Sequence, residues 1–344
     1  MKRWREMWVW RGERAALGGA AVALAAALFN PTLPWHRTLF EHVIVLDVTQ
    51  SMNVQDEWLD GRPASRLHFA KHALHGALQE LPCGSKVGWA VFTEARSYLL
   101  FTPVEVCANR AELRASLAGI DARMAWSGNS EVAKALHSGV GIVKALPGMP
   151  SLVFVTDGHE APPQSARHRP RYEDRAGGLT GLIVGVGQPK PSPIPKTDPA
   201  GQPLGFWSAD EVQQVDPHSM GRGASVGAEA MVEDDADAPR AAAALAALAA
   251  GLGATPGGEH LSGLREPYLR LLAAENGFTF HRLVSTQGLA DALRGDSLAR
   301  EVAVRGDARV LLFALALALL LAPYAYAFVF AFASRPRWRS GRGG

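Results

Sequence analysis

The chain has 344 residues, and 48% of them are hydrophobic, a composition that excludes wholesale disorder. The formal net charge is only +2, and the positive charge is concentrated at the two ends, so that residues 15–334 carry a net negative charge. Because a nucleic-acid-binding protein carries its basic residues on the folded domain, this distribution argues against nucleic acid as a partner.

Two uncharged apolar segments adjoin the basic ends. Residues 15–35 follow the basic residues 1–14, and residues 310–333 precede the basic tail 334–344. Each segment is about long enough to cross a bilayer, and the flanking arginines place both ends in the cytoplasm. We therefore expect two transmembrane helices with the intervening residues outside. A cleaved signal peptide is the alternative for the first segment, since Ala25 and Ala27 fit a cleavage site.

Residues 40–298 alternate between strand-like and helix-like patterns. In chain order, the predicted elements are a strand at 43–46, a helix at 65–81, a hairpin at 85–106, helices at 109–120 and 130–146, strands at 151–156 and 178–187, a helix at 262–275, a strand at 278–283 and a short last helix. This alternation predicts an α/β fold with a doubly wound, mostly parallel six-stranded sheet, Rossmann-like, with one antiparallel edge strand and strand order 3-2-1-4-5-6.

An excursion from this pattern covers residues 188–258. It begins with a proline-rich stretch and continues with an acidic run joined to an alanine-rich segment. This composition is typical of a solvated linker, and a partner-binding excursion is the alternative.

The two cysteines, Cys83 and Cys107, flank the predicted hairpin. If its arms pair about their midpoint at residue 95, both cysteines lie where the strands leave the ladder, close enough to bridge. We predict a disulfide formed in an oxidising compartment, with two unpaired buried thiols as the alternative.

Small oxygen-bearing side chains follow the predicted strands. Asp47, Thr49 and Ser51 end the first strand, Asp157 ends the fourth, and Ser130 begins a helix between them. Strands 1 and 4 are neighbours in the predicted order, so these residues converge at one edge of the sheet. Carboxylates and hydroxyls without His or Cys suit a hard cation, which predicts Mg²⁺, with Ca²⁺ and Mn²⁺ as alternatives.

Three further side chains lie near these ligands in the sequence. Asn129 is a competing ligand, and Asp56 and Glu160 could shape the rim of the site or cap adjoining turns. Asp56, Glu160 and His159, together with Asp47 and Asp157, are also the acid/base set that a metal-dependent hydrolase would need. The sequence has no nucleophile elbow and no His-Glu-x-x-His motif. We therefore predict a binding protein, not an enzyme, and no catalytic residue.

Two glycines at the end of the predicted strand at 178–187 raise the question of a nucleotide-binding site. Gly185 and Gly187 resemble the start of a dinucleotide fingerprint, but the proline-rich "QPKPSP" follows where a helix would have to begin. Without that helix the phosphate-binding amides are missing, so no nucleotide is expected.

The motifs "LDVTQSMNVQD", "GNSEVAKAL" and "LVFVTDGHE" resemble the metal-ion-dependent adhesion site (MIDAS) of von Willebrand factor A (VWA) domains, over about residues 40–293. The family pattern is Asp-x-Ser-x-Ser on one loop, Thr on the second and Asp on the third. Asp47, Ser51 and Asp157 match it, whereas Thr49 stands at a Ser position and Ser130 at the Thr position.

The resemblance implies a function in protein binding. In the family a carboxylate from the partner completes the metal coordination, and this chain looks most like bacterial membrane-anchored members, the MxaL-like and BatA-like groups. It implies a VWA domain in the periplasm, anchored in the inner membrane, that assists assembly or metal insertion of a methanol-type quinoprotein dehydrogenase. The alternatives are an envelope-stress scaffold working with a MoxR-type AAA+ ATPase, and another VWA protein as the partner.

Overall fold

The structure is a computed structural model that describes residues 2–164, 178–198, 200–214, 250–252, 255 and 257–333. For residues 2–13, 304–305, 326–327 and 329–333 it describes the main chain alone. The chain divides into two compact units. The larger unit comprises residues 39–300, and the smaller one combines residues up to 38 with those from 301 onward. The predicted tail 334–344 lies outside the described residues.

The strands and helices are numbered in chain order. The strands are β1 (Thr32–Asp47), β2 (Glu57–Leu59), β3 (Arg62–Ala64), β4 (Lys86–Thr93), β5 (Arg96–Leu99), β6 (Val104–Glu105), β7 (Ser151–Thr156), β8 (Gly181–Gly185), β9 (Ser192–Pro193), β10 (Pro195–Thr197), β11 (Pro203–Phe206), β12 (Leu261–Ser262), β13 (Thr279–Arg282) and β14 (Ala299–Asp307). The helices are α1 (Lys2–Leu28), α2 (Arg66–Glu80), α3 (Arg110–Gly119), α4 (Val132–Ala145), α5 (Glu266–Asn276), α6 (Thr286–Leu293) and α7 (Arg309–Ala333).

The central sheet has the order β13-β8-β7-β1-β4-β5. All neighbours along this path are parallel except the edge pair β4 and β5, which is antiparallel. Read from β5, this is the order 3-2-1-4-5-6, so the predicted mixed α/β fold and strand order are confirmed. The carboxyl ends of β1 and β7 therefore lie side by side.

The sheet has eight strands, not the predicted six, because β6 pairs with β4 and β14 pairs with β1. The predicted second arm of the hairpin is split into β5 and β6. Between them the chain passes closely over Gly88, where an added Cβ would lie 2.7 Å from the carbonyl oxygen of Phe101 and 2.8 Å from the nitrogen of Pro103. Pro103 has no N–H to donate to the ladder, which interrupts the arm at this point.

The core lies on both faces of the sheet. Alternate side chains of β1 enter different clusters: Ile44 packs with Leu74 of α2, whereas Val43 packs with Leu136 of α4. Because a strand buried on both faces has no polar side to alternate with, β1 reads as a continuous apolar run. The predicted disulfide is confirmed between Cys83 and Cys107, whose Cα atoms are 5.3 Å apart.

The smaller unit contains α1 and α7, which bury Ala20, Ala23 and Ala316 together. α1 begins at Lys2, within the predicted basic terminus, and ends at Leu28. The first predicted crossing, residues 15–35, is therefore not a single helix, because Asn30 adopts a left-handed conformation (φ 52°), Pro31 follows, and strand β1 begins at Thr32. Helix α7 spans the second segment, residues 310–333.

Across the described residues, no helix has both the length and the apolar character needed to cross a bilayer, so the two predicted transmembrane helices are not found there.

The described part of the 188–258 excursion is folded, although its composition predicted a solvated linker. β9 pairs with β12, which lies outside the excursion, and β10 pairs with β11 as a hairpin. We call residues 188–214 without residue 199 the insertion. Residues 215–249 of the excursion lie outside the described part of the chain.

Candidate metal-binding site

Three loops meet at the carboxyl edge of the sheet. β1 and β7 are in parallel register, with Leu46 opposite Val155, so Asp47 and Asp157 leave the sheet at the same edge. A short 3-10 turn at Gln50–Asn53 follows β1 and carries Ser51. The loop before α4 brings Ser130, which exchanges main-chain hydrogen bonds of 2.5 and 2.8 Å with Ala161 beyond β7. The structure therefore brings all five predicted ligands to one edge.

Asp47 is fully buried and is held by neutral donors. Its Oδ1 accepts hydrogen bonds from the main-chain N–H of Thr49 at 2.9 Å and from the Thr49 hydroxyl at 2.7 Å. Its Oδ2 accepts a hydrogen bond from the Thr156 hydroxyl at 2.6 Å. No cationic side chain among the described residues forms a salt bridge with it. Its orientation is thus set, but its charge is not balanced directly.

Asp157, in contrast, has a buried cation beside it. Nη1 of Arg66 lies 2.5 Å from Oδ2 of Asp157, and Nη2 lies 2.6 Å from Oδ2 of Asp56. Nη1 also donates to Oγ of Ser262 at 2.7 Å, and that hydroxyl donates to Asp157 at 3.1 Å. Arg66 is therefore shared between two carboxylates, and its guanidinium is completely buried.

The two aspartates differ in their acidity for this reason. Burial, followed by the charge of Asp157, raises the pKa of Asp47 to about 7. Burial also opposes ionisation of Asp157, but Arg66 and the main-chain N–H of His159 outweigh it and hold the pKa of Asp157 below its usual range. A cation beside Asp47 would favour its ionised form.

The hydroxyl groups lie next to these carboxylates. Oγ1 of Thr49 and Oγ of Ser51 are 3.4 Å apart, and the Ser130 hydroxyl donates to the main-chain oxygen of His159 at 2.8 Å. Each of the three side chains is only 2% exposed. The hydroxyl lone pairs that these hydrogen bonds leave unused are available to a cation.

Charge and donor chemistry both fit a hard divalent cation. Asp47, Asp56 and Asp157 oppose the single guanidinium of Arg66, which leaves an excess of two formal negative charges when all three carboxylates are ionised. A buried excess of this size is costly unless it is balanced. Two carboxylates and three hydroxyls supply the all-oxygen ligand set that Mg²⁺ prefers.

Asp56, Asn129 and Glu160, the three further residues predicted near the ligands, have three different roles in the structure. Asp56 pairs with Arg66, and Asn129 lines the pocket above the site. Glu160 accepts hydrogen bonds from the main-chain N–H groups of Val132 and Ala133 at 3.1 Å, at the start of α4. Burial raises the pKa of Glu160 to about 7. Glu160 thus fixes the start of the helix that follows Ser130.

The sequence interpretation missed Arg66, Thr156 and Ser262. Thr156 stands next to Asp157 in "VTDG", so its closeness to the site had a local signal. Arg66 lies at the first position of α2, and Ser262 lies on β12, and neither has a local signal because both reach Asp157 only through the packing of distant segments.

A buried row of three polar side chains, Glu259, Arg265 and His159, lies beside the site. Nη2 of Arg265 is 2.6 Å from Oε2 of Glu259 and 3.3 Å from Nδ1 of His159. Burial, followed by the charge of Arg265, lowers the pKa of His159 to about 3. The imidazole is therefore neutral at physiological pH.

A pocket of about 190 Å³ opens over the loops that carry the candidate metal ligands. Thr49, Ser51 and Ser130 line one side, and Ile194 and Trp207 of the insertion line another. Because Thr49, Ser51 and Ser130 are otherwise buried, a ligand would reach them through this pocket.

A family model matches the central segment of the chain. Residues 42–159 match the family model described as "von Willebrand factor type A domain", a range that contains all five predicted ligands. No curated protein matches the chain.

The solved structures that resemble the chain are distant in sequence. An aerotolerance-related membrane protein from Bacteroides fragilis is 16% identical, with 75% of this chain and 98% of that chain covered and a TM-score of 0.45. BatB from Bacteroides thetaiotaomicron is 16% identical, with coverages of 74% and 95% and a TM-score of 0.44. A von Willebrand factor type A protein from Catenulispora acidiphila is 14% identical, with coverages of 78% and 44% and a TM-score of 0.36. The MxaL-like subgroup is not confirmed by these comparisons.

Proposed function

We propose that the chain, whose residues 42–159 match the von Willebrand factor type A model, binds a divalent cation, most readily Mg²⁺, and through it a carboxylate of a protein partner. The ligands are Asp47, Thr49, Ser51, Ser130 and Asp157. The observation that carries the proposal is the buried Asp47, whose oxygens are held by neutral donors while the neighbouring guanidinium of Arg66 serves Asp157 and Asp56.

The ligand count leaves room for a partner. Mg²⁺ takes six oxygen ligands, and the chain offers five side chains at this edge. The ion, when bound, supplies a positive charge that attracts an anionic oxygen. The residues of the chain do the rest: Thr156 and Thr49 orient Asp47, and Ser262 with Arg66 orients Asp157.

Direct measurement of metal binding tests this function. Mn²⁺ binding to the full chain, followed by electron paramagnetic resonance with Mg²⁺ as competitor, should be lost in Asp47→Asn. Asp60→Asn is the matched control, because Asp60 lies in the β2–β3 turn with φ 51°, a conformation that asparagine also adopts. Equal Mn²⁺ affinity in Asp47→Asn and the unchanged chain would refute the metal site.

The partner and compartment are proposed together. The Cys83–Cys107 disulfide supports an oxidising compartment such as the periplasm. The proposal of an anchor in the bacterial inner membrane rests on the sequence alone, on the uncharged apolar run at residues 310–333 beside a basic tail. There the domain assists assembly or metal insertion of a quinoprotein dehydrogenase, or serves as a scaffold with a MoxR-type ATPase.

Capture experiments separate these partners. The full chain with Mg²⁺ should retain its partner and should release it after chelation or in Asp47→Asn. Recovery of a quinoprotein dehydrogenase supports the first role, and recovery of a MoxR-type ATPase supports the second. Capture that persists in chelator would contradict a metal-dependent contact with either of them.

A further inference from the structure

The wall of the pocket opposite the metal-binding loops is built by the insertion. β9 is tied to β12 by the pairs Ser192 with Ser262 and Pro193 with Leu261. The main-chain N–H of Ile194 donates to the carbonyl of His260 at 3.3 Å. Since Ser262 also donates to Asp157, the wall and the metal-binding edge are connected through one residue.

Trp207 is held at a fixed place in this wall. Its main-chain N–H donates to the carbonyl of Ile194 at 3.1 Å. Nζ of Lys196 lies 4.5 Å from the centre of its ring, and the same ammonium pairs with Glu211 at 2.5 Å. The Ser208 main-chain N–H donates to the other oxygen of Glu211 at 3.2 Å. The indole is thus positioned by the main-chain hydrogen bond to Ile194 and by the ion pair between Lys196, which precedes it in the chain, and Glu211, which follows it.

The indole N–H of Trp207 is an exception to the usual pairing of buried polar atoms. Its Nε1 is buried, and within the described part of the chain it has no hydrogen-bond partner. Buried tryptophan N–H groups usually find an acceptor, and an unpaired one calls for an explanation. Trp207 lines the pocket that also contains Thr49, Ser51 and Ser130. A ligand that enters the pocket with an acceptor oxygen would meet this need.

We propose that Trp207 is a recognition residue for the partner's carboxylate, with its indole N–H donating to the carboxylate and its ring forming an apolar wall beside it. This inference rests on the proposed function. An ionised carboxylate is a strong acceptor that offers two oxygens, so one can serve the metal and the other the indole.

The pocket also limits how the carboxylate is presented. A volume of about 190 Å³ admits one acidic side chain, whereas a helix with its side chains is about 10 Å across. The ligand class is therefore a single aspartate or glutamate side chain that protrudes from the surface of a protein, with the backbone that carries it outside the pocket.

The test uses the full chain with ¹⁵N-labelled tryptophan in Mg²⁺. The probes are a capped pentapeptide with a central aspartate among glycines and the same peptide with asparagine. We expect the aspartate peptide alone to move the Trp207 indole N–H resonance downfield, the direction of a stronger hydrogen bond. The shift is measured on the unchanged chain, and Trp207→Phe serves to assign the resonance by its loss.

Two tryptophan variants provide the affinity comparison. Trp207→Phe keeps an aromatic wall but removes the donor, and it should weaken aspartate-peptide binding about tenfold, as expected for a hydrogen bond to a charged group. Trp58→Phe is the matched control, because Trp58 is exposed on the β2–β3 hairpin, and it should bind as the unchanged chain does.

The outcomes distinguish this inference from the function on which it rests. If the unchanged chain binds the aspartate peptide only with Mg²⁺, but Trp207→Phe binds it equally well and the indole resonance stays in place, the recognition role is overturned and the metal site stands. If neither peptide binds in Mg²⁺, or Asp47→Asn binds as before, both proposals fail.

Discussion

Replacing Arg66 with methionine should destabilise the protein more than any neutral surface substitution. The methionine keeps most of the aliphatic stem but removes the guanidinium that lies 2.5 Å from Asp157 and 2.6 Å from Asp56. Asp157 then remains ionisable in a fully buried position, with the hydroxyls of Ser262 and Ser51 and the main-chain N–H of His159 as neutral donors. The charge, not the lost volume, is expected to dominate the cost.

The magnitude follows from the burial of the pair. Both Arg66 and Asp157 have no exposed side-chain surface, and removing one member of such a pair costs about 3–5 kcal/mol. For a protein of this size, each 1 kcal/mol lowers the melting temperature by about 2–4 °C. We therefore expect Arg66→Met to melt about 10 °C below the unchanged chain.

A double-mutant cycle separates the charge from the packing. Urea unfolding without divalent metal is measured for the unchanged chain, Arg66→Met, Asp157→Asn and the double variant. Because asparagine removes the stranded charge, Arg66→Met should cost at least about 2 kcal/mol less in the Asp157→Asn background. Additive effects, with the same cost in both backgrounds, would refute the account of Arg66 as the counter-charge of Asp157.

Three further predictions concern the fold around the site. Reducing the Cys83–Cys107 disulfide, which joins residues 24 apart, should lower the free energy of unfolding by about 3 kcal/mol, whereas unchanged urea midpoints with and without reductant would contradict this. Burial lowers the pKa of His42 to about 4. Between pH 6.5 and 4 the unfolded chain therefore binds more protons than the folded chain, so the free energy of unfolding should fall by up to about 3 kcal/mol as the pH drops through this range. His42→Gln should flatten this dependence in unfolding curves measured at several pH values. Gly187→Ala, at φ 112°, would place a Cβ 2.5 Å from Nε of Arg66 and should cost at least about 2 kcal/mol by calorimetry, an expectation that a melting temperature equal to that of the unchanged chain would exclude.

The sequence was sufficient for the order of the six central strands because the signals of those strands are local. The apolar run of β1 and the matching run of β7 each end in an aspartate, and the helices between them require a crossover. Parallel strands joined in this way place their carboxyl ends at one edge, so the approach of Asp47 to Asp157 followed from element order alone. The Cys83–Cys107 disulfide likewise followed from local sequence, because the two cysteines flank a predicted hairpin and are only 24 residues apart.

Predictions from the sequence were wrong where the conformation of a short segment depends on residues that are distant in the chain or on a single turn. The uncharged run after residue 14 predicted a continuous helix to residue 35, but the left-handed Asn30 and Pro31 divide it into α1 and β1. The proline-rich insertion predicted a linker, but its pairing partner β12 lies beyond residue 258 and is invisible to local composition.

The sequence by itself therefore determined the α/β topology, the disulfide and the set of oxygen-bearing residues at one sheet edge, because periodicity and strand ends are written in neighbouring residues. Only the tertiary structure decided how the charges of that set are balanced. Arg66 and Asp157 are 91 residues apart, and Trp207 approaches the pocket from an insertion with no periodic pattern. Such contacts depend on how separate layers pack, which is why they arise only once the chain is folded.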